Sequence, residues 1–259
     1  MLIENTLFGE RNKVEIAIQR LKEFEPQEGY ILAFSGGKDS CVIYELAKMA
    51  GVKFKAIYSK TSVDPPELVR FIKEKYKDVH IAPYPKDKDG NTLTMWTLIP
   101  NKKTPPTRMN RYCCDVLKER TGEKGDTVIV GVRWSESSKR KKLSMVSMYK
   151  GKKMLRPIID WEDEDVWEFI HKYSVPYCEL YDKGFKRLGC IGCPLNPSNQ
   201  EKELMMYPKY KESYLRAFQR MLDNLDNATT WQTPEDVMDW WLMKCKEKPL
   251  EGQCNIFSD

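Results

Sequence analysis

A chain of 259 residues, 41% hydrophobic and 31% charged, is long enough for one generous α/β domain and has neither a disordered nor a membrane composition. Lysine and arginine exceed aspartate and glutamate by 43 − 38 = 5, a mild basic balance that suits anionic small molecules and excludes a dedicated DNA-binding surface. Residues 1–11 carry charges where a secretory apolar core would sit, and no apolar run is long enough to span a bilayer, so a cytoplasmic, membrane-free protein with eight reduced cysteines is expected.

The stretch Val14-Glu15-Ile16-Ala17-Ile18-Gln19-Arg20-Leu21 has helical apolar spacing and ends before Pro26. Tyr30-Ile31-Leu32-Ala33-Phe34 is a short apolar run without polar alternation, as in a buried parallel strand. A glycine loop follows, then a helix through Val42, Ile43, Leu46 and Ala47 that Gly51 can cap. Phe54-Lys55-Ala56-Ile57-Tyr58 predicts a second strand, Pro65 or Pro66 opens a third helix, and Val79-His80-Ile81 predicts a weak third strand. Thr127-Val128-Ile129-Val130-Gly131-Val132 predicts a clear later strand, and residues 144–157 a short β-ribbon around Gly151. Asp160 is the expected cap of a helix carrying Val166, Trp167 and Ile170. Residues 184–199 are punctuated by glycine and proline. Residues 201–222 and a segment capped by Thr233, with Pro234 at its first position, predict two terminal helices. The alternation of strand and helix predicts a parallel sheet with helices on both faces. Residues 1–200 are expected to form the main domain, with 201–259 a helical extension and tail packed on it.

Ser35-Gly36-Gly37-Lys38-Asp39-Ser40 lies between a strand and a helix, the setting of a phosphate cradle. Backbone N–H groups and the helix N-terminus attract anions, Lys38 adds a full charge, and Ser35 and Ser40 can donate hydrogen bonds. A P-loop would need glycine in place of Leu32 and Ser or Thr in place of Asp39, and a dinucleotide fingerprint would need a third glycine. The histidines, His80 and His171, supply little for a triad.

The glycine loop resembles the pyrophosphate loop of the N-type ATP pyrophosphatases, whose fold is a Rossmann-like parallel sheet of five strands, of the adenine nucleotide α-hydrolase type. Within that superfamily the chain is similar to the phosphoadenosine phosphosulfate (PAPS) reductase family from about Tyr30 to about Pro197. Gly131-Val132-Arg133, Glu136-Ser137 and Arg140 match one family segment, and Pro157-Ile158-Ile159-Asp160-Trp161 with Asp165-Val166-Trp167 match another. Val175-Pro176-Tyr177, Leu180-Tyr181-Asp182 and Gly184-Phe185 then lead into Gly189-Cys190 as the family does. The resemblance implies an adenine nucleotide, ATP or APS/PAPS, held by residues 35–40 with Arg133 and Arg140. Lys38, Asp39 and Arg133 are the implied catalytic residues, and Mg²⁺ is expected near Asp39 with ATP. Thr61 to Glu67 departs from the family's Thr-Gly-x-x-x-Pro-Glu loop by lacking the glycine.

Cys113-Cys114 and Cys190-x-x-Cys193 form the second motif. Adjacent cysteines do not readily close a relaxed disulfide, so two pairs in a reduced chain suggest ligation. Four thiolates suit a tetrahedral zinc ion or a 4Fe-4S cluster. Pair spacing favours zinc, whereas a directly adjacent pair suits a larger cluster. The set also resembles the ligands of 4Fe-4S sulfonucleotide reductases, and Lys118 matches a lysine those enzymes carry. Cys41 and Cys178 are expected in packing, and Cys245 in core or surface. The basic residues 102–111 are a candidate contact for an anionic substrate.

Two activities fit the resemblance. One is an iron–sulfur ATP pyrophosphatase that adenylates a substrate for sulfur or nitrogen transfer; the other is an APS/PAPS reductase that releases sulfite with Cys254 as nucleophile. Gln253-Cys254-Asn255-Ile256-Phe257 lacks the glycine and histidine of the reductases' tail motif, and the glycine loop, often eroded in reductases, is whole. Both departures favour the pyrophosphatase. A non-catalytic nucleotide-binding module is the third reading. A sulfur-donor protein, a nucleic-acid substrate and a second copy of the chain are the partners left open.

Overall fold

The computed structural model of the protein describes residues 1–6, 9–225 and 230–246. Cys254, the nucleophile of the reductase reading, lies outside the described residues, as does the side chain of Cys245. In chain order the elements begin with strands β1 (Ile3–Thr6) and β2 (Gly9–Asn12), helix α1 (Lys13–Glu23), β3 (Tyr30–Phe34), α2 (Lys38–Ala50) and β4 (Phe54–Ser59). They continue with α3 (Pro66–Lys75), β5 (His80–Ala82), α4 (Met95–Lys102) and β6 (Thr127–Ile129). Then come β7 (Val146–Tyr149), β8 (Lys152–Leu155), α5 (Asp163–Lys172), α6 (Pro197–Met206), α7 (Pro208–Asp223) and α8 (Pro234–Lys246).

The chain divides into two compact units. The first comprises Met1–Ser59, Pro66–Ala82 and Arg120–Leu188. Its sheet has the order β5-β4-β3-β6-β8-β7, parallel throughout except for β7, which pairs antiparallel with β8. The fold is therefore the expected Rossmann-like α/β class. Five parallel strands are present, and a sixth comes from the predicted ribbon, one arm of which joins the parallel sheet while the other forms an antiparallel edge. β3 is the switch point: the chain leaves it through α2 to β4 on one side and later returns to β6 on the other. Open α/β sheets bind ligands outside the carboxyl ends of the strands at such a point.

β6 is shorter than its apolar run suggests. A β-carbon on Gly131 would meet the backbone and Cβ of Asp39 at 3.0 Å, so glycine lets residues 130–133 run tightly against the start of α2. The chain leaves the ladder there and delivers Arg133 beside Asp39.

The expected cap of α5 is corrected. Glu162 caps the helix, and its N–H donates to Asp165 at 2.8 Å. Asp160 instead takes two bonds from Arg20, at 2.7 and 2.9 Å, and one from Arg11 at 2.6 Å. A run of four acids after Trp161 offers several equivalent caps, and the arginines of β2 and α1 take the first acid of the segment. Asp165 is fully buried and accepts from Lys13 Nζ at 2.6 Å. Burial pushes both carboxyls up, but hydrogen bonds from Arg20 at Asp160, and from Lys13 at Asp165, hold each below the ordinary 3.8. A carboxyl depressed on folding stabilises the fold above its unfolded pKa and loses that contribution as pH falls through the folded value. Acid titration followed by circular dichroism is therefore expected to leave the first unit stable at neutral pH and to loosen it below about pH 4. Unfolding that begins well above pH 5 would assign acid lability to other groups.

The second unit comprises the described residues of Lys60–Pro65, Pro83–Glu119 and Gly189–Asp259. Its core gathers Met95, Ile99, Ile191, Tyr214, Phe218 and Trp241, and the Trp241 indole N–H donates to the Pro106 carbonyl at 2.6 Å. α4 was not visible in the sequence pattern. The expected continuous helix over 201–222 is two helices, because Pro208 cannot continue α6 and forces Tyr207 out of helical geometry, at ψ 69°. Thr233 caps α8 as expected: the Asp236 N–H donates to its hydroxyl, and the Thr233 N–H donates back to Asp236. Among the described residues no helix is long and apolar enough to cross a membrane.

Candidate functional site

The glycine loop joins the carboxyl end of β3 to α2. Gly36 has φ 72°, and a β-carbon there would lie 2.7 Å from Leu68 Cδ1 and 2.8 Å from Ile72 Cδ1. Conformation and space both exclude a side chain, which lets the loop turn tightly beneath α3. The hydroxyls tighten the turn. Ser40 Oγ donates to the Gly37 carbonyl at 2.8 Å and accepts from the Ser35 N–H at 3.2 Å. The Lys38 N–H, at the start of α2, donates to Tyr181 Oη at 2.9 Å.

Four charges meet at this loop. Lys38 is 6% exposed and Arg133 only 2%. Arg133 Nε donates to Asp39 at 2.6 Å, and its Nη1 reaches Ser135 Oγ at 2.9 Å and the Trp161 carbonyl at 3.3 Å. Arg133 Nη2 and Lys38 Nζ each lie 2.9 Å from the same oxygen, Oδ1 of Asp163. Burial raises the Asp163 carboxyl, but the bonds and charges of Lys38 and Arg133 outweigh it and hold the group below the ordinary carboxylate value. Arg140 pairs with Glu136, whose Oε2 also accepts the Arg133 N–H at 2.9 Å. Arg140 is thus joined to the loop through the backbone of Arg133.

The cysteine pairs lie in the second unit. Cys114 opens a single π-helical turn, Cys114–Lys118, and Cys190 and Cys193 flank a turn closed by the Cys193 N–H on the Cys190 carbonyl at 3.2 Å. Cys113 and Cys190 pack against the same core of the second unit, and Cys114, Cys190 and Cys193 all help raise the Cys113 thiol. The Cys113 thiol donates to Cys114, and that bond, with Arg111 and Lys118 nearby, pulls the Cys114 thiol below its ordinary value. Burial pushes Cys190 up to about 12. Its thiol donates to Thr61 Oγ1 at 3.4 Å. In the turn that holds Thr61, Ser62 stands where the resembling family has glycine and still adopts φ 66°, a conformation costing roughly 1–2 kcal/mol for a residue with a side chain. Its hydroxyl accepts the Met95 N–H at 2.9 Å, which helps hold the turn. Four thiols backed by two cations are a donor set that fits a metal–sulfur group. Among the described residues no three Cys, His, Asp or Glu side chains are gathered around a single ion position. Cys41 and Cys178 are buried, and burial pushes both thiols up, as packing residues require.

The phosphoadenosine phosphosulfate reductase domain family matches residues 29–196. The chain belongs to that family. An uncharacterized protein of Methanocaldococcus jannaschii is 32% identical over 207 residues, 74% of this chain and 46% of that protein. The chain thus spans about half that relative's length. An adenosine 5'-phosphosulfate reductase of Bacillus cereus is 25% identical over 201 residues, 73% of this chain and 83% of the reductase. The crystal structure of a PAPS reductase from Candida auris, a phosphate complex, aligns with a TM-score of 0.47 and 18% identity, over 67% of this chain and 87% of that one.

In this PAPS reductase family member the structure brings Lys38, Asp39 and Arg133 together from distant segments, whereas Cys113, Cys114, Cys190 and Cys193 share the second unit without three of them meeting at one ion position among the described residues. Asp163 and Tyr181 also stand at the glycine loop, and neither was assigned a part from the sequence. Tyr181 lay inside a matched triplet, but Asp163 is the second of four consecutive acids and carries no signal of its own.

Proposed function

We propose that this chain is an adenine-nucleotide enzyme that cleaves ATP between its α- and β-phosphates, with pyrophosphate on the glycine loop. The observation that carries this reading is the convergence of Lys38 and Arg133, two buried cations, on one oxygen position beside the N-terminus of α2. A nucleotide phosphate oxygen takes that position. An acceptor oxygen attacks the α-phosphorus, the bond from that phosphorus to the bridging oxygen breaks, and the electron pair leaves with pyrophosphate. Lys38, Arg133 and the loop N–H groups stabilise the charge gathering on the leaving group. Asp39, at the first turn of α2, is the carboxylate for Mg²⁺ bound to the nucleotide. Arg140 orients Arg133 through Glu136. A sulfur or nitrogen nucleophile then displaces AMP from the adenylated acceptor.

Cys113, Cys114, Cys190 and Cys193 would hold a 4Fe-4S cluster, with zinc as the alternative occupant. Such a cluster supplies a soft site at which sulfur is bound. A sulfur-donor protein and a nucleic-acid acceptor are compatible partners of this scheme.

The second reading is a sulfonucleotide reductase. It is favoured by the 25% identity to a Bacillus cereus adenosine 5'-phosphosulfate reductase over 83% of that protein. There the Cys254 thiolate attacks the sulfur of APS or PAPS, AMP or its 3'-phosphate leaves, and a second thiol releases sulfite from the S-sulfonated cysteine. One paired assay on anaerobically purified protein separates the readings. ATP-dependent pyrophosphate release that Lys38→Ala abolishes is the expected result. Thiol-dependent sulfite release from APS or PAPS, lost in Cys254→Ser, would replace the first reading with the second. Absence of turnover in both arms would leave a nucleotide-binding module.

A further inference from the structure

The donors that a phosphate would need are already engaged by the protein. Lys38 Nζ and Arg133 Nη2 meet at Asp163 Oδ1, each at 2.9 Å, and the Lys38 N–H is on Tyr181 Oη, also at 2.9 Å. Asp163 differs from the other acid of the site in two respects. Asp39 stands on α2 itself and is mostly buried, whereas Asp163 comes from the first turn of α5 and its side chain is 56% exposed. The cap of α5 is Glu162, so Asp163 is not needed to start its helix. A half-exposed carboxylate whose one oxygen bridges two buried cations has an open route into water and a strong hold only on what a ligand would also hold.

We propose that Asp163 is a built-in surrogate anion: its carboxylate keeps Lys38 and Arg133 converged until an oxygen of the incoming nucleotide's pyrophosphate group replaces it. This rests on the phosphate-loop reading of residues 35–40. Because the carboxylate is tethered, it competes at a high effective concentration. A ligand must then bring several charged oxygens at once, reaching the loop N–H groups as well as the two cations. A single inorganic phosphate does this poorly and a pyrophosphate group does it well. Asp163 therefore contributes to specificity by excluding small anions, and it fixes the geometry of Lys38 and Arg133 before the ligand arrives.

Titration calorimetry with inorganic pyrophosphate and with inorganic phosphate, without divalent cations, tests this on the full chain carrying Asp163→Asn, Lys38→Ala or neither. Asp163→Asn is expected to bind pyrophosphate about tenfold more tightly, because two cations lose their internal competitor. Phosphate is expected to gain at least as much, so the preference for pyrophosphate narrows. Thermal unfolding of the same variant checks that its fold is intact. Unchanged or weaker pyrophosphate binding in Asp163→Asn, while the unsubstituted protein binds and Lys38→Ala does not, would overturn the surrogate role alone. If neither the unsubstituted protein nor Asp163→Asn binds pyrophosphate, the phosphate-loop reading fails and this inference fails with it.

Discussion

Arg133→Ala is expected to lower ATP turnover by about a hundredfold to a thousandfold, the scale of losing one pre-aligned donor to a developing anion. The guanidinium is 2% exposed and spends its donors on Asp39, Asp163, Ser135 and the Trp161 carbonyl. Removing it leaves the Asp39 carboxylate without its closest partner. A buried pair broken from one side costs about 3–5 kcal/mol, and the solvent open to Asp163 puts the loss near the lower end, about 3 kcal/mol. Arg133→Lys keeps the charge but not the planar fork, so it is expected to recover part of the stability and little of the turnover. Urea denaturation and a pyrophosphate-release assay measure the two effects. The double variant with Asp163→Asn should regain part of the stability, since it removes one unpaired carboxylate, and none of the activity. Arg133→Ala with unaltered turnover would remove this residue from the chemistry.

The second large effect is expected at the cysteines. Cys114→Ser combined with Cys190→Ser leaves one thiol on each segment and replaces two soft donors with hydroxyls that bind iron poorly. Anaerobically prepared protein is expected to lose its iron and acid-labile sulfide nearly completely, and with them its visible absorbance. The unfolding temperature of the substituted protein should match that of the metal-free native chain, because a group bound only by the folded state stabilises it by mass action. Circular dichroism serves as the control for folding, because Cys190 packs against the core that holds Tyr214 and Trp241. A colourless native protein loaded with zinc would exchange the cluster for a single ion, and a metal-free native protein would reduce the set to packing.

The parts legible in the sequence are those whose signal is local. Gly36 and Gly37 after an apolar run mark a loop because backbone conformation is a nearest-neighbour property, and the structure sets Gly36 at φ 72°. Thr233 and Pro234 mark a helix start for the same reason. What escaped depends on partners far along the chain. Asp160 has cap chemistry, yet two arginines more than a hundred residues away claim it. Asp163 is one acid among four until folding sets Lys38 and Arg133 beside it. Gly131 reads as part of a strand, although it makes a close approach to Asp39 at the start of α2. Pro208 is a local break signal inside an otherwise strongly helical stretch.

The chain changes unit at 59/60, 65/66, 82/83, 119/120 and 188/189. Two pieces of the second unit, Lys60–Pro65 and Pro83–Glu119, are therefore tethered at both ends to the first. If the second unit melted while the sheet persisted, these pieces would become closed loops and gain less entropy than free chain. Chain connectivity thereby limits the entropy that the segment holding Cys113 and Cys114 could gain on melting. Neither unit can be expressed as one uninterrupted fragment.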